Sequence, residues 1–444
     1  MRNLAQTFSS RTAVTLVVAN MIGTGVFTSL GYQLLDIRSA PVILLLWTLG
    51  GVIALCGALC YAELAAALPR SGGEYNFVGR IYHPAAGFVS GWVSITVGFS
   101  APTAAVAIAA AKYAQAIWPN VSETVFAATL VLLTGAIHLG SRRGSAIFQQ
   151  SITGLKVVAI LALVIAVWMV IPNWQPVRWV PESSDISLIG TGGFAIALIF
   201  VNYAYTGWNA ATYIGGEFVD PGKQLPRALI AATVLVTALY LLLHVMFISA
   251  APMDALAGRV EIGFIVAEYA FGAAAAKIIG AILALLLVST ISAMLLAGPR
   301  ALYVIGRDFP LFSWLGKENR YAVPANAVGL QMALTLVLIV TSTFDSIIIF
   351  SGAILAFNSL MTVLGVWVLR VREPQLERPF RVPFYPLPVI VFGALSLWTL
   401  VHLLDQRPYE GVAAVGLIAL GLLIYFISQK LQPPNHNRSK DITE

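Results

Sequence analysis

Long apolar runs separated by short polar connections make up this chain from residue 12 to residue 429. A helix needs about 20 apolar residues to cross the hydrocarbon layer of a bilayer. Twelve windows meet that requirement: 12–35, 40–67, 84–111, 122–140, 148–171, 187–216, 227–250, 272–305, 324–342, 346–369, 386–404 and 411–429. The tails, 1–11 and 431–444, are too short to be domains. The pattern predicts a single all-α membrane domain of twelve transmembrane helices.

Two windows are interrupted by polar residues and glycines at mid-depth. The first reads Ala19-Asn20-Met21-Ile22-Gly23-Thr24-Gly25-Val26-Phe27, and the sixth reads Asn202-Tyr203-Ala204-Tyr205-Thr206-Gly207-Trp208-Asn209. Each opens a set of five helices. Corresponding interruptions in two halves point to a transporter built from inverted repeats. The halves run 12–171 and 187–370, and the last two helices, within 385–430, stand outside the repeat. No clear identity relates the two halves, so the repeat rests on segment number and break position.

Composition sharpens the picture. Of 444 residues, 59% are hydrophobic and 10% charged, against about 25% charged in soluble domains. That excludes a soluble enzyme, a nucleic-acid-binding module and a disordered chain. The formal charge of +6 comes from 26 Lys+Arg against 20 Asp+Glu scattered along the sequence. With both tails on one face, nineteen of the 26 basic residues fall on that face. Six fall on the other (Arg38, Lys112, Arg178, Arg259, Lys277 and Arg407), and Lys156 falls on neither. Basic residues collect on the cytoplasmic side, so both termini are expected there. The only cysteines, Cys56 and Cys60, lie one helical turn apart in an apolar run and read as reduced thiols.

The motifs allow competing readings. Gly23-Thr24-Gly25 suits close helix packing. It equally suits an unwound turn whose following half-helix offers N–H groups and a positive dipole end to a carboxylate. Unwinding at the second break frees carbonyls for an ammonium group, so the two breaks together would hold a zwitterion. Tyr203 and Tyr205 read either as aromatic packing or as a gate across a substrate. Lys156 either snorkels to the cytoplasmic edge or tethers the first break through its exposed carbonyls, as a bound sodium ion would. Glu63, Glu74, Glu217 and Asp220 read as partners for loop arginines. No His-Glu-x-x-His, phosphate-binding loop or Gly-x-Ser-x-Gly elbow is present, so no enzyme activity, metal or cofactor is expected.

Five stretches in order resemble the amino acid–polyamine–organocation superfamily over essentially the whole chain. They are Ile22 to Phe27; Tyr61-Ala62-Glu63-Leu64 with Pro69 to Tyr75; Tyr205 to Asn209 leading through Glu217 and Asp220-Pro221 to Pro226; Arg300 to Pro310; and Glu373 to Val382. The third and fifth are most similar to the L-type amino acid transporter branch. The resemblance implies two inverted five-helix repeats plus two helices, with alternating access around a midplane amino-acid site. It implies Ile22, Gly23, Thr24 and Gly25 as the carboxylate-binding turn and Tyr203, Ala204 and Thr206 as the amino-group acceptors, with Tyr203 also the gating aromatic. It places Lys156 on the helix 5 lysine of the family, Thr290 or neighbouring Ser289 as its helix 8 contact, and Asn358 near the substrate side chain. Thr24 stands where the branch commonly has serine. The loop around Lys112 to Ser122 lacks the cysteine that binds a heavy chain in animal relatives. A stand-alone exchanger of neutral L-amino acids in a bacterial inner membrane is the expectation. A proton-coupled symporter is the alternative on the same fold, and a membrane receptor or channel-like protein the alternative of another class.

Overall fold

The computed structural model describes residues 10–140, 142–171 and 173–430. Apart from Ser10 and Arg11, the expected tails lie outside the described residues. Among those residues there is no strand, and eighteen α-helices follow one another. In the first half, α1 (Ser10–Met21) and α2 (Gly25–Asp36) form one span interrupted at Ile22–Thr24. Next come α3 (Ala40–Ala67) and the short α4 (Glu74–Ile81), then α5 (Pro84–Val93) and α6 (Ser100–Ile117), α7 (Glu123–Gly140) and α8 (Arg142–Val170). In the second, α9 (Ser183–Leu188) precedes α10 (Gly192–Tyr205), and a 3-10 segment (Ala210–Glu217) leads into α11 (Pro221–Ala250). Two short helices, α12 (Met253–Leu256) and α13 (Ile262–Phe271), precede α14 (Ala273–Asp308), α15 (Ala325–Thr341), α16 (Phe344–Arg372), α17 (Leu387–Gln406) and α18 (Pro408–Lys430). Nine stretches of the described residues are long and apolar enough to cross a membrane, and residues 154–170, 262–271 and 325–341 form shorter apolar helices.

Local chemistry sets the boundaries. Thr191 and Thr343 cap α10 and α16 by accepting from Phe194 N (3.2 Å) and Ser346 N (3.3 Å), satisfying N–H groups that every helix start leaves unpaired. His83 does the same for α5, accepting from Ala85 N at 3.1 Å. Between α5 and α6 the chain makes a π-helical turn at Ser94–Phe99. Pro102 has no N–H to return to residue 98, and Ser100 Oγ donates to Ile95 O five residues back (3.0 Å). The span therefore widens and bends rather than breaking.

The core is assembled by α3 against α11, α6 against α14 and α2 against α10, with α1 against α8, α11 and α14. Alanines 101, 104, 105, 107, 109, 110 and 111 make α6 almost wholly buried, because small side chains let neighbouring backbones approach. Leu132 and Leu133 on α7, Val401 and Leu404 on α17, and Val412 and Phe426 on α18 are exposed apolar side chains. That is the surface a bilayer covers. At one end, Glu63 accepts from Arg370 (2.5 Å) and Val382 N (2.7 Å) and pairs with Arg378, while Arg80 pairs with Glu373 and Arg70 with Asp308. Glu63 thus serves the loop arginines as expected. Asp220 faces Lys223 instead (3.4 Å), and the Glu217 side chain lies outside the described residues.

Candidate functional site

The first break is resolved bond by bond. α1 stops at Met21, Gly23 N turns back to Met21 O (2.8 Å), and α2 starts anew at Gly25. Carbonyls freed by unwinding inside a membrane protein must find donors. Lys156 Nζ donates to Ile22 O (2.6 Å) and to Thr290 Oγ1 (2.7 Å), and Thr290 Oγ1 lies 3.1 Å from the same carbonyl. Lys156 is 1% exposed. Its ammonium is enclosed between α1, α8 and α14 rather than directed to a membrane edge, so the geometry is that of a tether and not of a snorkelling side chain. Of the two candidate helix 8 contacts the structure brings Thr290 to the lysine, while the Ser289 hydroxyl donates to Leu286 O on its own helix (2.8 Å). Thr24 Oγ1 is buried without a hydrogen-bond partner.

The second break begins where α10 ends. Tyr203 O accepts from both Thr206 N (3.0 Å) and Thr206 Oγ1 (2.6 Å), and Gly207 takes φ +101°, a conformation glycine adopts without a Cβ penalty. A Cβ on Gly207 would lie 2.7 Å from the Asn20 carbonyl carbon, and one on Gly25 would fall onto Ala204 Cα. The two breaks therefore cross in direct backbone contact. Gly25 satisfies the helix-packing reading, whereas a Cβ on Gly23 would meet only the Thr290 methyl at 3.3 Å and Met21 O at 4.0 Å. Tyr240 on α11 joins the breaks: its hydroxyl lies 2.5 Å from Met21 O and 2.9 Å from Ala204 O. Nothing in the sequence singled out this tyrosine, which shares its apolar span with the hydroxyls of Thr233, Thr237 and Ser249.

A cavity of ≈ 50 Å³ lies beside the crossing, lined by Asn20, Glu74, Gly98, Phe99, Pro102, residues 206–210, Tyr213, Met294, Leu355 and Ser359. A second of ≈ 50 Å³ adjoins it between α3, α10, α16 and α17, sharing Thr206, Trp208, Leu355 and Ser359. Each holds a few waters at most, so an amino acid enters only as these walls move apart. Among the expected site residues Thr206 lines both cavities. Tyr203 lines neither and packs beside Gly352 of α16. Asn358 is 5% exposed and donates to Glu74 Oε2 at 2.9 Å; its neighbour Ser359, with Leu355, faces both cavities from α16.

Glu74 corrects the sequence reading. It meets no arginine among the described contacts. It is 2% exposed and accepts from Tyr61 (2.5 Å), Tyr213 (2.5 Å), Asn209 (2.9 Å), Asn358 (2.9 Å) and Ser359 (3.4 Å). The sequence reading assigns it a loop arginine as partner, but Gly72 and Gly73 precede it. Those glycines, at φ +116° and +54°, turn the carboxylate inward instead.

Interrupted helices crossing around an orphan hydroxyl and a buried ammonium, inside a bundle with a lipid-facing apolar surface, define a multi-pass membrane protein of the discontinuous-helix transporter class. The sequence profile of the amino acid permease family matches residues 8–425, and the chain belongs to that family, an amino acid transporter of the superfamily that its motifs resemble. It is 29% identical to the large neutral amino acids transporter small subunit 2 of Mus musculus, over 93% of this chain and 79% of that protein. It is 29% identical to the Asc-type amino acid transporter 1 of Mus musculus, over 94% and 79%. With the b(0,+)-type amino acid transporter 1 of Homo sapiens it shares 27%, over 93% and 86%.

Proposed function

We propose that this protein exchanges neutral L-amino acids across the cell membrane by alternating access. The observation that carries the reading is the crossing itself. The partnerless Thr24 hydroxyl and the start of α2 stand where a carboxylate would dock, and N–H groups at a helix start attract anions. Tyr203 O is already doubly engaged, so the Thr206 carbonyl and the lone pair that Tyr240 leaves open on Ala204 O remain as acceptors for the ammonium. Lys156 supplies a fixed positive charge at the first break, which removes the need for a bound cation there.

In this reading the twelve spans are α1–α2, α3, α5–α6, α7, α8, α10 with its 3-10 segment, α11, α14, α15, α16, α17 and α18, and α13 is too short to cross. The contacts of α3 with α11 and of α6 with α14 join corresponding members of the two repeats, which supports the inverted-repeat architecture. Both termini are cytoplasmic by charge. One relative is named a small subunit. Here the two cysteines lie within α3 and not in a connecting loop, so the protein works without a disulfide-linked partner. The test is counterflow into proteoliposomes of one labelled amino acid against a panel, at two imposed pH gradients. Alanine, serine or leucine should trans-stimulate more than arginine or glutamate, with little response to the gradient. Uptake that follows the gradient without trans-stimulation would make the protein a proton symporter, and unsaturable flux a channel.

A further inference from the structure

The loop 69–73 and Glu74 are fastened to the segment that follows the second break. Gly72 N donates to Tyr213 O (3.1 Å) and Gly216 N to Ser71 Oγ (3.0 Å). A Cβ on Gly73 would lie 2.9 Å from the Tyr213 ring. Onto this backbone seam the Glu74 carboxylate gathers donors from three separate elements: Tyr61 of α3, Asn209 and Tyr213 after the break, and Asn358 and Ser359 of α16. Five donors on two oxygens fill the acceptor capacity of a carboxylate, and all five are neutral hydroxyls or amides. A buried ion pair would hold two partners; this group holds three elements together beside the two adjoining cavities, at the end of the bundle that also carries Glu63, Arg370, Arg70 and Asp308.

We infer that Glu74 is a positioning residue for transport: its carboxylate latches the 209–213 segment to α3 and α16 and so closes the cavity at this end. The inference rests on alternating access as proposed above. A ligand leaving toward loop 69–73 has to part the 3-10 segment from α3 and α16, and the hydrogen bonds of Tyr61, Asn209, Tyr213, Asn358 and Ser359 across that divide all end on this one carboxylate. Breaking them together gives the seam two arrangements rather than a graded loosening, because withdrawing the shared acceptor leaves all five donors unpaired at once, and each unpaired buried donor is costly. Glutamine in its place has one acceptor oxygen, and its amide N–H₂ meets a ring of groups that are themselves donors.

The experiment uses full-length protein with Cys56→Ala and Cys60→Ala, carrying Ala210→Cys in the cavity wall, 2% exposed in the parent. Maleimide labelling of purified protein measures how often the seam opens, and needs no knowledge of the substrate. Glu74→Gln should accelerate labelling by about tenfold or more, and Tyr213→Phe, which deletes one donor, by roughly fivefold. The two together should do no more than Glu74→Gln alone, since they cut the same latch. A cysteine at Ala127, buried on α7, should label as slowly as before. Equal acceleration at Ala127 would mean general loosening and overturn the inference, as would unchanged labelling at Ala210 or full additivity. Should Glu74→Gln fail to fold, Tyr213→Phe decides alone: unchanged labelling at Ala210 overturns the latch. Absence of amino acid counterflow in the parent, with labelling of the variants as expected, would instead remove the proposed function and leave the latch standing.

Discussion

Replacing Lys156 by methionine keeps most of the side-chain length and removes the charge. The ammonium makes two short bonds, to Ile22 O at 2.6 Å and Thr290 Oγ1 at 2.7 Å. Hydrogen bonds to a charged group contribute about 1.5–3 kcal/mol each, so about 3–6 kcal/mol of interaction is lost. Against this, the parent holds an ammonium at 1% exposure, whose desolvation costs several kcal/mol. The two terms nearly cancel, and Lys156→Met should keep its melting temperature within a few degrees of the parent. Its function should not survive as well. Ile22 O keeps only the Thr290 hydroxyl at 3.1 Å, and a break released by about 1.5–3 kcal/mol spends roughly ten- to a hundredfold less time in its binding geometry. Lys156→Arg should fail equally, because a planar guanidinium does not fit a pocket shaped around a compact point charge. The assay is counterflow of labelled leucine in proteoliposomes, with thermal melting to show folded protein. Exchange above half the parental rate by either variant would refute the reasoning.

The glycines of the first break should separate packing from binding. Gly25→Val should prevent folding, since its Cβ has no space against Ala204. Gly23→Ala should fold and lose most substrate-induced thermal stabilisation, and parental stabilisation there would return the motif to packing alone. For topology, single cysteines at positions 112 and 439 in a cysteine-free background should label oppositely in intact cells; equal labelling would sink the arrangement with both termini cytoplasmic. Outside the spans, Arg178 first, with Ser39 and Glu182 N, holds the Asp185 carboxyl well below the usual carboxylate range. A depressed folded pKa stabilises above the unfolded value of about 3.9 and is lost as pH falls through it toward the folded one. The melting-temperature advantage of the parent over Asp185→Asn should be full at neutral pH and shrink below pH ~4; an advantage independent of pH would contradict this.

The length of the apolar runs alone located nine stretches of the described residues that are long and apolar enough to cross a membrane, because a bilayer imposes the same requirement on every crossing segment. The windows 122–140 and 324–342 meet helices at Glu123–Gly140 and Ala325–Thr341. Both interruptions were legible, since polar residues and glycines inside an apolar run have no bland explanation when they recur at matching places. Lys156 was legible for the same reason: a charge at membrane depth must have partners nearby, and the freed carbonyls of the first break were the candidates, while its helix 8 contact came from the resemblance. What the chain did not announce were the contacts that close the site. Tyr240 reads as one aromatic among many until folding brings it against Met21, 219 residues away in sequence. Glu74 reads as one more loop acid until Gly72 and Gly73 turn it toward Asn358, 284 residues on. Choosing Thr290 over Ser289 took one helical step of rotation, which hydropathy does not encode. Solvent and lipid act on each residue separately and leave their mark in the one-dimensional pattern. The hydrogen bonds that join two breaks, a lysine and a buried carboxylate depend on which distant residues become neighbours, and only the packed bundle decides that.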